Sequence, residues 1–335
     1  MPFQIIPPGT RFDFIGKWRI ALAASLSVVL LGAIAAATLG IRWGLDFAGG
    51  AEAHLRFTDS DSSEGAIREV LSGLDLESPS VVRYGEGARE FLIKFRGERA
   101  RAAEGEAAEV DTGTAGAAAE AAAVVSAETD RVLALQRALS EQIGPLEVIR
   151  TEYVGPRVGA ELREDGLNAI LLACLLILIY IAFRFSMRFA PGAVIALVHD
   201  VLITCSLWLL LGLEFDLRVL AALLAIIGYS LNDTIIVYDR IRENLEMRTG
   251  AELPEVLNRS VNQTLSRTVL TSITTLLALL SLLLLGGEVV RPFALAMAMG
   301  VVVGTYSSVY IAAPTLMWLE SRFRARAESG RPAGA

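Results

Sequence analysis

Lysine is almost missing: of the 30 basic residues only Lys17 and Lys94 are lysines. Neither sits in a glycine-rich phosphate loop, so nothing here drives transport by ATP. The chain has two histidines, His54 and His199, and no H-E-x-x-H, which excludes the common zinc protease arrangement. It has two cysteines, Cys174 and Cys205, both inside long apolar runs. The water-exposed part therefore carries no disulfide framework, and the redox compartment cannot be inferred. No Gly-x-Gly-Asp occurs around Asp233, which follows Leu231-Asn232, so an aspartate-type intramembrane protease is disfavoured. A net charge of −7 argues against a nucleic acid partner. No enzyme, metal or cofactor is indicated.

What the chain has in excess is apolar surface. It is 53% hydrophobic with a mean hydropathy of +0.51, above the ~45–50% usual for soluble globules. Apolar runs at 18–40, 166–184, 190–212, 218–238, 267–286 and 292–317 approach or exceed the ~18–20 residues that cross a bilayer as a helix. The class is an α-helical membrane protein with about six spans, one followed by five. Arginines crowd alternate short connections: Arg11 and Arg19 with Lys17, Arg184 and Arg188, Arg240 to Arg259, and Arg322 to Arg326. By the positive-inside rule both termini, 1–17 and 318–335, face the cytoplasm. The first span (18–41) ends near Ala35-Ala36-Ala37, like a signal-peptide cleavage site, but is too long for a signal h-region and is expected to stay as an anchor.

Residues 42–157 alone are long enough to fold in water, outside the cytoplasm. Ala51, Ala53, Leu55 and Phe57 alternate with Glu52, His54 and Arg56, a half-buried strand. Asp61-Ser62-Ser63-Glu64 offers an N-cap before Ile67, Val70, Leu71 and Leu74 at helical spacing. Strands follow at Ser80 to Tyr84 and Glu90 to Arg96, joined by Gly85-Glu86-Gly87. A helix marked by Val132, Leu135, Leu139 and Ile143 stops at Gly144-Pro145 before a last strand, Leu146 to Tyr153. The order βαββαβ is that of a ferredoxin-like α+β domain, a scaffold that implies no activity. The Ala/Glu-rich stretch 100–127 lacks large apolar residues and is expected to be a disordered insertion.

The remainder, 158–317, forms the five-helix transmembrane part. In it, 239–263 alternates charge with Ile241, Leu245, Leu253, Val256 and Leu257, the pattern of an amphipathic helix pair on the cytoplasmic membrane surface or of a solvated loop.

Asp233 lies within the fourth apolar run, after Gly228, Tyr229, Ser230 and Asn232. A carboxylate at mid-bilayer costs about 3 kcal/mol, so its presence points to function. It lies about 10 Å inside its helix, and His199 and Asp200 about 15 Å inside theirs, from the same side, at about 1.5 Å per residue. Arg267 opens the fifth run and can reach inward or snorkel to water. An acid and a base at similar depth suggest a proton path of Asp233, Arg267, Asn232, His199 and Asp200. The bland alternatives are a static Asp233–Arg267 ion pair and a histidine that only hydrogen-bonds a neighbour. In the last span Ala296, Gly300, Gly304, Ser308 and Ala312 recur every fourth residue, a small-residue face for close helix packing with a neighbour of this chain or another. Pro314 should kink that helix.

These features resemble a known family. The carriers are Gly44-Leu45-Asp46-Phe47-Ala48-Gly49-Gly50, Val154-Gly155-Pro156-Arg157-Val158-Gly159, His199-Asp200, Gly228-Tyr229-Ser230-Leu231-Asn232-Asp233-Thr234 continuing through Tyr238 to Asn244, and Gln263-Thr264-Leu265-Ser266-Arg267-Thr268. One span, a ferredoxin-like domain and five spans make half of an RND-type transporter, and the motifs are similar to the SecF side of the SecD/SecF family. The resemblance implies a subunit in the bacterial inner membrane that uses the proton-motive force to assist late steps of preprotein export. It implies a SecD-like partner supplying the second half, work alongside the SecYEG channel and SecA motor, and a proton path through Asp233 and Arg267. H⁺ is the coupling ion expected from the resemblance; Na⁺ stays open from the residues alone. The alternatives are a non-conducting subunit that stabilises its partner, and half of an RND-type exporter of small molecules or lipids.

Overall fold

From Ile20 to Leu39 there is neither a charge nor a proline, and in lipid only a helix satisfies such a backbone internally. Helix α1 forms there, over Trp18–Leu39. The structure is a computed structural model that describes residues 10–58, 62–74, 76–84, 89–96, 129–184, 189–247 and 252–329. The expected insertion at 100–127 and the Gly85-Glu86-Gly87 turn lie outside the described residues. The chain divides into two units: Met1–Arg42 with Leu167–Leu213 and Arg218–Ala335, and Trp43–Gly166 with Glu214–Leu217.

The second unit is the ferredoxin-like domain. After a single turn, α2 (Leu45–Ala48), come β1 (Gly50–Phe57), α3 (Glu64–Ser72), β2 (Glu77–Arg83), β3 (Glu90–Arg96), α4 (129–142) and β4 (Leu146–Val154). The sheet order is β2-β3-β1-β4, and each neighbouring pair is antiparallel, as the βαββαβ reading requires. Ser63 caps α3 by accepting from the Ala66 amide at 3.2 Å, which satisfies one of the helix's orphan donors. The inward set of β1 packs with Ile67, Leu71, Phe91, Ile93, Leu135 and Leu139, all fully buried.

The unit extends beyond the expected 42–157, because glycine-rich turns tie three separate segments together. Gly44 donates to the Phe215 carbonyl at 2.7 Å, and the Asp46 carboxylate accepts from the Leu217 amide at 3.0 Å, capping the next-but-two long helix. A Cβ on Gly44 would come within 2.9 Å of Asp216, and one on Gly159 within 2.9 Å of the Phe47 carbonyl. The two glycine-bearing motifs around Asp46 and Gly155 are thus backbone contact points.

On the other sheet face Arg56 holds Glu90 through Nε and Nη2, each at 2.8 Å, and His54 lies 3.1 Å away. The Arg56 hydrogen bond keeps the Glu90 carboxyl below its usual 4.5. A carboxyl depressed in the folded state stabilises at neutral pH, and that stability is lost as pH falls through the folded value, below 4.5. Both partners are partly exposed, so the effect is less than about 1 kcal/mol. Glu90→Gln should remove it: unfolding midpoints of the full chain at neutral pH and below about pH 4 should differ less for the variant than for wild type.

The first unit holds the remaining spans: α5 (Pro156–Arg184, from Leu167 on), α6 (Ala190–Leu210), α7 (Leu217–Met247), α8 (Leu253–Leu285), α9 (Gly287–Ser307) and α10 (Ala313–Ser329). With α1, the described residues include six helical stretches long and apolar enough to cross a membrane, the last joining α9 and α10. The segment 239–263 differs from expectation. It is no separate amphipathic pair: α7 runs on unbroken to Met247 and α8 starts at Leu253, because no breaker occurs between Tyr238 and Met247. The apolar residues of the two extensions face each other, with Ile241, Val256 and Leu257 buried. The Asn244 amide donates to Ser260 Oγ and Gln263 Oε1, both at 2.8 Å.

The small-residue stripe finds its neighbour within this chain. A Cβ on Gly300 would overlap Ile226 of α7, and one on Gly304 would meet Ser230 Cβ at 3.0 Å. Between α9 and α10, Ser308–Ala312 winds as a π turn, two residues ahead of Pro314. The turn absorbs the missing proline donor, as such bulges do, and the Tyr238 hydroxyl donates to the Ala312 carbonyl at 3.0 Å. Gly300→Val should lower stability by about 1–3 kcal/mol through overpacking. Thermal unfolding in detergent checks this against Val302→Leu on the exposed side of α9, which should change nothing measurable.

Candidate functional site

Four helices meet at Asp200, which is wholly buried. Oδ2 accepts from Ser307 of α9 at 2.8 Å and from Ser230 of α7, while Oδ1 lies 2.9 Å from His199 Nδ1. The other ring nitrogen of His199 is 2.9 Å from Ser25 Oγ of α1. Ser25 in turn lies 3.1 Å from the Tyr306 hydroxyl, which donates to the Ala21 carbonyl at 2.7 Å. Each hydroxyl has one hydrogen. Tyr306 uses its own on Ala21, so Ser25 donates to Tyr306 and accepts from His199 Nε2. The His199 ring thus bridges Ser25 on one side and the Asp200 carboxyl on the other. This is a closed, fully satisfied network.

Asp233 is its opposite. It is 1% exposed, and neither carboxylate oxygen has a hydrogen-bond partner among the described residues. The Thr204, Thr234 and Thr268 hydroxyls are likewise buried and unbonded. Asp233 sits three residues after Ser230, on the same face of α7, so the Asp200 network ends within one helical turn of it. Arg267 of α8 and Asp233 form no ion pair among the described residues. Arg267 is itself exposed. The static-staple alternative therefore lacks its bond within this chain.

The expected set is thus partly assembled. His199 and Asp200 are joined, the Ser230 that bonds Asp200 lies one turn from Asp233, and Arg267 is not bonded to Asp233. Asn232 is exposed on α7, about 100° round the helix from Asp233, and does not join them. Gly300, Gly304 and Ser308 are all buried on the packing face. Ser25, Ser230, Ser307 and Tyr306 were not among the candidates; hydroxyls inside apolar runs were the available signal. Among the described residues no three His, Cys, Asp or Glu side chains cluster as metal ligands.

The family model described as "Protein export membrane protein SecD/SecF, C-terminal" matches residues 135–322. The protein translocase subunit SecF of Gemmatimonas aurantiaca is 38% identical over 94% of this chain and 89% of its own length. That of Magnetococcus marinus is 42% identical over 97% and 98%. The protein translocase subunit SecDF of Thermus thermophilus is 38% identical over 98% of this chain, which spans 41% of that relative. A crystal structure of SecDF from the same organism, titled a translocon-associated membrane protein, superposes with a TM-score of 0.73 at 37% identity, covering 97% of this chain and 40% of that one.

Proposed function

This chain belongs to the SecD/SecF family of protein export membrane proteins, and from that premise we propose that it is the SecF half of a proton-driven accessory to the Sec translocase. It resides in the bacterial inner membrane with both termini cytoplasmic and pairs with a SecD-like partner. The complex draws on the proton-motive force to carry preproteins through the late steps of export begun by SecA and SecYEG. Asp233 takes up and releases the proton, and Arg267 tunes it.

The observation that carries this reading is the pair of unbonded oxygens on a buried carboxylate in a membrane helix. Buried carboxylates are ordinarily bonded, and a structural one would resemble Asp200. Asp233, left unbonded, has no hydrogen-bond partner among the described residues to fix its charge. A proton crossing the membrane potential releases about 2.3 kcal/mol per 100 mV, enough to shift a two-state helix arrangement about 50-fold. A partner also fits the fused relative, in which the SecF-like part fills under half of one chain.

The test is preprotein export into inverted vesicles containing SecYEG and SecA, with and without this chain and its SecD-like partner. The complex should add a component of export that a protonophore removes and that replacement of Na⁺ by K⁺ leaves intact. Stimulation that survives the protonophore would sink the proton-driven reading.

A further inference from the structure

Away from the Asp200 network, α5, α7 and α8 line a half-open cavity of about 330 Å³. Each helix contributes one arginine to its wall: Arg184, Arg240 and Arg267. Among the described residues Asp239 is the one acidic residue in the wall, so there cations exceed anions by two. Tyr180, Gln263 and Thr264 add neutral polar atoms. Arg240 holds Glu243 at 2.8 Å with one of its nitrogens and has further N–H groups to give. We propose that this cavity binds the phosphate of an anionic phospholipid headgroup.

Arginines from three separate helices in one wall suit a phosphodiester, whose oxygens accept the paired, planar N–H donors of arginine. Basic pockets between transmembrane helices are where anionic headgroups lodge. The surroundings select a lipid over soluble phosphate. Below Tyr180, Leu176 and Leu172 are 57% and 55% exposed at one and two turns along α5. Beyond Arg267, Leu270 and Leu277 are 51% and 59% exposed along α8. These two apolar tracks lead to the cavity and suit acyl chains hanging from a headgroup held there.

The site shares Arg267 with the proton path, but its occupancy is measurable with no ion gradient, so the two readings fail separately. The probes are phosphatidylglycerol, phosphatidylcholine with the same acyl chains, and inorganic phosphate, each added to the full chain in a neutral detergent. Lipid retention by native mass spectrometry and the unfolding midpoint are both recorded. Phosphatidylglycerol should be retained and raise the midpoint; phosphatidylcholine and inorganic phosphate should do neither. Arg184→Gln with Arg240→Gln should weaken phosphatidylglycerol binding on the order of 30-fold, each basic residue contributing about a factor of five, while the double lysine variant keeps most of it. Equal retention of phosphatidylcholine, or undiminished binding by the double glutamine variant, overturns the site. A midpoint shift from inorganic phosphate as large as that from phosphatidylglycerol overturns the lipid assignment. The headgroup comparison on wild type decides the matter even where a variant does not fold.

Discussion

Asp233→Asn should abolish the gradient-dependent component of preprotein export while leaving the amount of assembled complex unchanged. The amide keeps the volume and shape of the carboxyl and cannot titrate. Because neither oxygen of Asp233 is bonded among the described residues, the substitution breaks no hydrogen bond there, and removing an unbonded buried acid relieves a desolvation cost of several kcal/mol for its charged form. The variant chain should therefore be as stable as wild type or more so, the usual relation between a functional site and the fold that carries it. Export in vesicles at matched complex levels is the measurement. Undiminished gradient-dependent stimulation would remove Asp233 from energy coupling and turn attention to His199, Asp200 or the partner's acidic residues. Reduced complex abundance with normal export per complex would instead make it a structural residue.

The largest loss of stability should come from Asp200→Ala. The substitution strands Ser230, Ser307 and His199 without their common acceptor. Single hydrogen bonds inside membrane proteins average about 0.6 kcal/mol and reach about 1.7 kcal/mol, and those to charged groups sit at the upper end. Three together give about 2–4 kcal/mol. The comparison that isolates the network is Asp233→Ala, one turn away on α7, which should cost far less. Thermal unfolding of the full chain in one detergent measures both. Equal midpoints for the two variants would mean that the Asp200 contacts hold nothing together. Pairing Ser230→Ala with Ser307→Ala in a double-mutant cycle should show coupling, since both hydroxyls share one oxygen.

Much of this was legible before any coordinates. Run length located the spans, because lipid permits a helix and little else, and period-2 alternation located the sheet down to the inward set of β1. Asp233 stood out because a carboxylate is costly there. The misses have physical causes. The stretch 239–263 has the period of a surface helix whether it lies on a membrane or extends a span into a helical hairpin, and only the absence of a breaker before Met247 favoured the second. Asn232 was grouped with Asp233 by adjacency, although neighbours on a helix point about 100° apart. The partners of Asp200 could not be read at all: Ser25, Ser230 and Ser307 lie far apart along the chain, and their meeting depends on how α1, α7 and α9 pack around α6.

The fastenings of α7 set its mechanics. Toward α9 it is held closely: one oxygen of Asp200 draws in Ser230 and Ser307, and Gly304 lets the two backbones approach at that level. Toward α8 it is tied near two ends, by Asn244 to Ser260 and Gln263, and by Tyr229 to Ser272, which also meets Thr305 of α9 at 2.6 Å. Between those ties lie Asp233, Thr234 and Thr268, whose side chains hold nothing. Ser230 and Tyr238 fasten the opposite side of α7 along this same stretch, so only its α8 side is left without a hydrogen-bonded tie among the described residues. On the reading proposed above, the coupling acid sits at that untied face, where α7 and α8 part with the fewest hydrogen bonds broken.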